Sequence, residues 1–260
     1  MFLQPLNHPI RHWQGMMIWV VGASSGIGAA LAKAMLKQGA HVAVSARTAS
    51  ALESQFQPEV NAMVLPLDVN DSLAWQQAHE QILQRWGQVD MLVYCVADYV
   101  PERVWEMQPD RARQMVLTNL AAYYDALAIL LPDMLLAGKG HLALIASVAG
   151  YVGLPKATVY GPTKAALINL AEILYNDLHA LGINVFLINP GFIATRLTEK
   201  NDFEMPALLS PEQASAAIMA GMACGDFEIH FPRRFTRWLK LVQLMPYRWR
   251  FALMQRLVST

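Results

Sequence analysis

The chain of 260 residues is 55% hydrophobic and only 15% charged, with 20 Lys+Arg balancing 20 Asp+Glu. That length suits one compact domain with a large core, and the balance excludes both a disordered chain and a generally basic nucleic-acid binder. Two cysteines, Cys95 and Cys224, make no disulfide framework and have no partner at metal-ligand spacing, so a reducing cytoplasmic setting and no metal are expected.

The opening MFLQPLNHPIRHWQG is broken by Pro5, His8, Pro9 and Arg11 where a secretory signal needs an unbroken apolar run, so no targeting segment is expected. No apolar stretch reads as long enough to span a bilayer. Residues 17–21 (MIWVV) are predicted as a buried strand, followed by a glycine turn over 22–28 and an amphipathic helix over 29–38 that Gly39 stops. The same alternation continues with strands over 41–45, 62–67, 91–96, 141–146 and 184–188, and helices over 49–55, 72–86, 110–131 and 163–180. Six strands alternating with helices imply an α/β fold, a doubly wound parallel sheet with helices on both faces and a ligand site at the carboxyl ends of its strands. Ser210, Pro211 and Gln213 add a further helix start: an N-cap hydroxyl, a proline in the first turn and a capping-box partner.

Chemistry concentrates at those strand ends. Gly22-Ala23-Ser24-Ser25-Gly26-Ile27-Gly28 follows a strand and opens a helix, where glycines let the backbone approach a pyrophosphate and the helix N-terminus offers unpaired N–H groups. After the second strand, Ala46 supplies no carboxylate for a ribose 2′-hydroxyl, while Arg47 supplies a cation for a 2′-phosphate, so NADP(H) is preferred over NAD(H). Tyr160 and Lys164 stand four residues apart, on one face of a helix, and Ser147 precedes them just past the fifth strand.

In this order the motifs resemble the single-domain short-chain dehydrogenase/reductase family over about Met17 to Glu228. The resemblance rests on GASSGIG, Leu67-Asp68-Val69, Thr118-Asn119 within the central helix, Ser147, Tyr160-x-x-x-Lys164, and Asn189-Pro190-Gly191 followed by Thr195. It implies a three-layered Rossmann fold and an oxidoreductase that interconverts a carbonyl and an alcohol. By the same resemblance Tyr160 is the general acid/base, Ser147 polarises the substrate carbonyl, Lys164 binds the nicotinamide ribose and lowers the Tyr160 pKa, and Asn119 supports a proton relay through water. Cofactor contacts are implied for Gly22, Ser24, Ser25, Gly26, Ile27, Gly28, Arg47, Asp68, Val69, Tyr160, Lys164, Pro190, Gly191, Ile193 and Thr195. A homodimer or homotetramer through helices 110–131 and 163–180 is implied as well. Two motifs depart from the family pattern: Val21 replaces the opening Thr of the glycine motif, and Tyr94-Cys95-Val96-Ala97 replaces Asn-Asn-Ala-Gly. Cys95 reads as a small buried hydrophobe. Asp98 and Glu102 read as members of a solvated loop near the substrate mouth.

Residues 195–210 are the expected lid, and its Leu197, Phe203, Met205, Leu208 and Leu209 suggest an apolar small-molecule substrate. Beyond the domain expected at 1–228, residues 229–260 carry seven basic residues and no acid. Phe235, Trp238, Leu239 and Val242 there fall at helical spacing, giving an amphipathic basic helix over 233–245 and a second over 249–258. Such a tail suits a membrane surface, its own domain or a partner subunit; it does not suit nucleic acid, because nothing else supplies a basic groove. The competing functional readings are an NADP(H)-binding sensor or scaffold without turnover, and a peripheral membrane protein.

Overall fold

The structure, a computed structural model, describes residues 4–200 and 205–258. Among the described residues seven strands form one parallel sheet: β1 (Met17–Val21), β2 (His41–Ser45), β3 (Ala62–Val64), β4 (Met91–Tyr94), β5 (Gly140–Ile145), β6 (Ile183–Pro190) and β7 (Glu228–Phe231). Their spatial order is β3-β2-β1-β4-β5-β6-β7. The winding direction reverses between β1 and β4, and that reversal opens a crevice beyond the strands' carboxyl ends.

The strand sequences explain the three layers, because successive side chains point to opposite faces. Ile18, Val20, Val42 and Val44 pack with Leu31 and Met35 of α1 (Gly26–Lys37), Leu52 and Phe56 of α2 (Ala49–Phe56), and Ile218 and Met222 of α7 (Pro211–Cys224). Trp19, Val21 and Ala43 face the other way, onto Trp75 and Ile82 of α3 (Ser72–Trp86), Tyr123 and Leu127 of α5 (Ala122–Ala137), and Leu167 and Leu174 of α6 (Tyr160–Leu178).

Three expectations are corrected. Glu228, expected to close the domain, instead opens β7, whose residues pair with Leu187–Pro190 of β6. The sheet thus crosses the 228/229 boundary, and the tail proper starts at α8 (Arg233–Gln243) and continues as α9 (Tyr247–Val258). The central helix is not uniform: α4 (Pro109–Val116) passes into a π-helical turn at Leu117–Ala121 before α5. The combined run Pro109–Ala137 is also long and apolar enough, by length and composition, to cross a membrane. Here one face of it packs on the sheet through Tyr123, Ala126, Leu127 and Leu130, and the other presents an apolar surface at Val116, Leu117 and Tyr124.

The inner face of α8 is taken by its own domain. Leu239 and Val242 pack with Val148, Tyr151 and Val152, and the Phe235 ring lies 5.8 Å from that of Phe192. Glu228 accepts hydrogen bonds from the Tyr151 hydroxyl, from Asn189 Nδ2 at 2.9 Å and from Lys240 Nζ. Trp238, the remaining member of the apolar stripe, points outward.

Candidate active site

The crevice is a cleft of about 490 Å³ at the carboxyl ends of β1, β2, β4, β5 and β6. Every expected site residue lines it except Asn119, which lies beneath it. At Gly22 (φ +93°) a Cβ would stand 2.8 Å from the Cys95 carbonyl carbon, and at Gly28 it would stand 2.3 Å from the Gly22 oxygen. The turn therefore closes against β4 and the first turn of α1 only because both side chains are missing. Ser25 is the N-cap of α1 but makes no side-chain capping bond, and the first turn holds no acid. Ser24, Ser25, Gly26 and Ile27 thus present an uncapped, partly positive helix terminus to the cleft.

Arg47 is exposed at one end of the cleft and makes no ion pair among the described residues. Asp68 holds the Asn70 amide with Oδ1 at 3.0 Å and lines the cleft. Trp75 Nε1 donates to the Val69 carbonyl at 2.9 Å and fixes that stretch of backbone. The arginines along the wall (Arg47, Arg111 and Arg196) and Lys164 outnumber Asp68 and Asp98, and Arg111 is already paired with Asp98 at 2.7 Å. The balance favours an anionic ligand.

Tyr160 opens α6 and Lys164 follows one turn later, so the ammonium lies 5.5 Å from the phenol ring centroid. Lys164 is 1% exposed and its Nζ donates to the Ile145 carbonyl at 2.8 Å. Burial lowers its pKa to about 8, opposed by nearby Cys95. Burial pushes the Tyr160 phenol up to about 12, a Ser147 hydrogen bond pulls it back, and Tyr99 raises it further. Ser147 Oγ in turn accepts from the Ala149 amide at 3.1 Å, which fixes the hydroxyl at the end of β5. Both amide hydrogens of Asn119 are taken, by the Asp98 carbonyl at 2.9 Å and by Thr163 Oγ1 at 3.2 Å, while its Oδ1 accepts from the Asp98 N–H. Thr163 donates on to the Tyr160 carbonyl at 2.8 Å. Asn119 thereby clamps the loop after β4 to the first turn of α6.

A family model described as short chain dehydrogenase matches residues 16–205. The chain belongs to the short-chain dehydrogenases. It is 30% identical over 207 residues to an uncharacterized oxidoreductase of Staphylococcus haemolyticus, spanning 79% of this chain and 90% of that one. Its fold is similar to a short-chain dehydrogenase from Streptomyces avermitilis, with a TM-score of 0.82 and 23% identity over 95% of this chain and 98% of the other. A short-chain dehydrogenase/reductase from Burkholderia phymatum, solved in complex with NAD, gives 0.81 and 19% over 89% and 94%. As a short-chain dehydrogenase the chain is an oxidoreductase of a family that binds a nicotinamide cofactor.

Within this family member, the two sequence departures find structural partners. Val21 is buried in the core, and the Tyr94 hydroxyl donates to the Thr118 carbonyl in the π-helical turn at 2.8 Å. Cys95 lies against Gly28, and burial pushes its thiol up to about 12, so it packs as a neutral small side chain. Four contributors carry no sequence signal of their own: Thr163 in the clamp, Tyr99 with its ring edge-to-face on Tyr160 at 4.9 Å, Arg111 and Arg196. Glu102 is not a solvated loop residue; it is 7% exposed, bridged to Ala157 just before α6. Of the lid, Leu197 lines the cleft and a backbone bridge between Ile193 and Leu209 closes its stem, whereas Phe203 lies outside the described residues.

Lys164 gives a pH-dependent prediction. Its folded pKa, near 8, lies below the unfolded value of 10.5, so between these pH values the unfolded chain holds a proton that the folded one has lost. The penalty is complete below pH 8 and fades toward 10.5, so stability relative to Lys164→Met rises with pH across that window. Urea unfolding of both proteins at the two ends of the window reads this difference. A pH-independent difference would contradict the burial of a charged Lys164.

Proposed function

We propose that this short-chain dehydrogenase interconverts a carbonyl and an alcohol on an apolar small molecule in the cytoplasm, with NADP(H) preferred over NAD(H). The observation that carries the reading is the meeting of Tyr160, Ser147 and Lys164 in one cleft with the glycine turn and Arg47. The cleft fits a dinucleotide: the uncapped start of α1 suits a diphosphate, the Asp68 carboxylate an adenine amino group, and Arg47, which has no ion pair among the described residues, a 2′-phosphate. Pro190, Gly191, Ile193 and Thr195 line the same cleft as Tyr160, and Thr195 stands against Gly26 of the glycine turn, so this stretch suits the nicotinamide and the adjoining diphosphate. When bound, such a cofactor supplies or takes up a hydride.

The protein's own residues handle the proton. With its pKa raised to about 12, Tyr160 stands protonated at neutral pH, ready to give a proton to a carbonyl oxygen. The Lys164 ammonium beneath the ring favours the phenolate left behind. Ser147 holds the substrate oxygen beside Tyr160, and Asn119 acts through its clamp on Asp98 and Thr163. Leu197 on the cleft wall and Leu209 at the lid stem support an apolar substrate. The outward apolar face of α4 and α5, with Ile173 of α6, supports a homodimer or homotetramer.

Titration of NADPH and NADH into the parent and into Arg47→Ala tests the cofactor assignment. Losing a charged hydrogen bond of roughly 1.5–3 kcal/mol should weaken NADPH about 10- to 100-fold and leave NADH nearly unchanged. Equal losses for both would reject Arg47 as the phosphate reader. Consumption of NADPH with carbonyl compounds, absent in Tyr160→Phe, tests the reaction.

A further inference from the structure

We propose that the outward face of α8 and α9 docks the protein on anionic lipid surfaces. The inference is independent of the reaction assigned to the cleft. A helix packed on its own domain ordinarily turns polar side chains outward. Here the inner side of α8 is occupied by Leu239, Val242 and Thr236, yet the outer side presents Trp238, Leu241 and Leu244, the last 82% exposed. On α9, Trp249 is 69% exposed, with Tyr247 and Phe251 beside it in sequence. Amphipathic aromatic rings beside arginine are what a headgroup layer accepts and bulk water does not reward.

The charges sort into two sets. Lys240 is held by Glu228, Arg233 lies 3.8 Å from Asp226, and Arg250 caps the end of α8 by donating to the Gln243 and Met245 carbonyls. Arg234, Arg237 and Arg248 are exposed and make no ion pair among the described residues. With no acid anywhere in 229–260, nothing in the tail neutralises them. A two-fold contact with a second copy would bring these arginines toward their own counterparts, whereas a sheet of phosphates and carboxylates complements them. Because α8 packs on the Val148–Val152 loop that follows Ser147, docking would set that side of the molecule next to lipid.

The test uses the full chain with vesicles of phosphatidylcholine alone or mixed with phosphatidylserine, read by co-sedimentation at low and high salt. The parent should sediment with the anionic vesicles, and less as salt rises. Arg234→Gln, Arg237→Gln and Arg248→Gln together should weaken binding by roughly 100-fold, at about fivefold per basic residue near a charged surface. Trp238→Ser with Leu241→Ser should abolish the binding left at low salt. All five side chains are exposed, and NADPH titration confirms that each variant keeps its fold; if the apolar variant does not, the arginine variant alone decides. Absence of sedimentation with either vesicle, or equal sedimentation with both, would overturn the proposal. So would a parent that ignores vesicles but forms a dimer that Trp238→Ser disperses.

Discussion

Tyr160→Phe is expected to lower carbonyl reduction by about 100- to 10,000-fold, the usual contribution of a positioned general acid, while NADPH affinity changes little. The substitution deletes one oxygen and leaves the rest of the local packing in place. The ring keeps its edge-to-face contact with Tyr99 at 4.9 Å, and Lys164 keeps its bond to the Ile145 carbonyl. The main chain at 160 stays tied by Thr163, itself held by Asn119. Rate and cofactor affinity should therefore separate, and the measurement is steady-state turnover beside a fluorescence titration of NADPH. Turnover near the parent level would remove Tyr160 from the chemistry. Parallel loss of NADPH binding would make it a structural residue of the cleft.

The second large effect belongs to the glycine turn. Gly28→Ala should destabilise the protein by about 3 kcal/mol or more, because its Cβ would meet the Gly22 carbonyl, a backbone atom with no rotamer to escape into. Two other glycines calibrate the claim. Gly87 has φ +80° but open space around it, so Gly87→Ala should cost only about 1–2 kcal/mol of left-handed strain. Gly153 has neither a positive φ nor a neighbour within 4 Å, so Gly153→Ala should be nearly silent. Thermal unfolding orders the three, at about 2–4 °C per kcal/mol for a chain of this size. Because Gly22 and Gly28 shape the mouth of the cleft, Gly28→Ala should also weaken NADPH, while Gly87→Ala should not. A silent Gly28→Ala would contradict the close approach of α1 to the turn.

The elements most legible in the sequence are those whose ends carry their own chemistry. Helix α3 begins where Asp71 accepts from the Leu73 and Ala74 amides and ends at left-handed Gly87, and its expected and observed bounds coincide. The Ser210–Gln213 capping box forms as its spacing implies. Strand β7 was hidden because its four residues alternate only Ile229 and Phe231 inward, too short a pattern to separate from loop. The π-helical turn at Leu117–Ala121 has no residue signature of its own; it is recognised by the buried Asn119 and by Tyr94 reaching the Thr118 carbonyl. Burial of Glu102 depends on a bridge to Ala157, a partner 55 positions away that no local pattern names. The tail shows the limit most plainly. An apolar stripe at Phe235, Leu239 and Val242 is the same string whether it meets lipid or protein, and only the Val148–Val152 loop decides.

The most direct test of the cleft's chemistry is to follow deuterium from the carbon-4 position of labelled NADPH into the product of a carbonyl panel graded from short polar to long apolar. The expected result is label on the former carbonyl carbon, turnover rising with apolar chain length, and no transfer in Tyr160→Phe. Tight NADPH binding with no transfer to any carbonyl, and no reverse oxidation of the matching alcohols, would contradict a dehydrogenase and leave a cofactor-binding protein in its place.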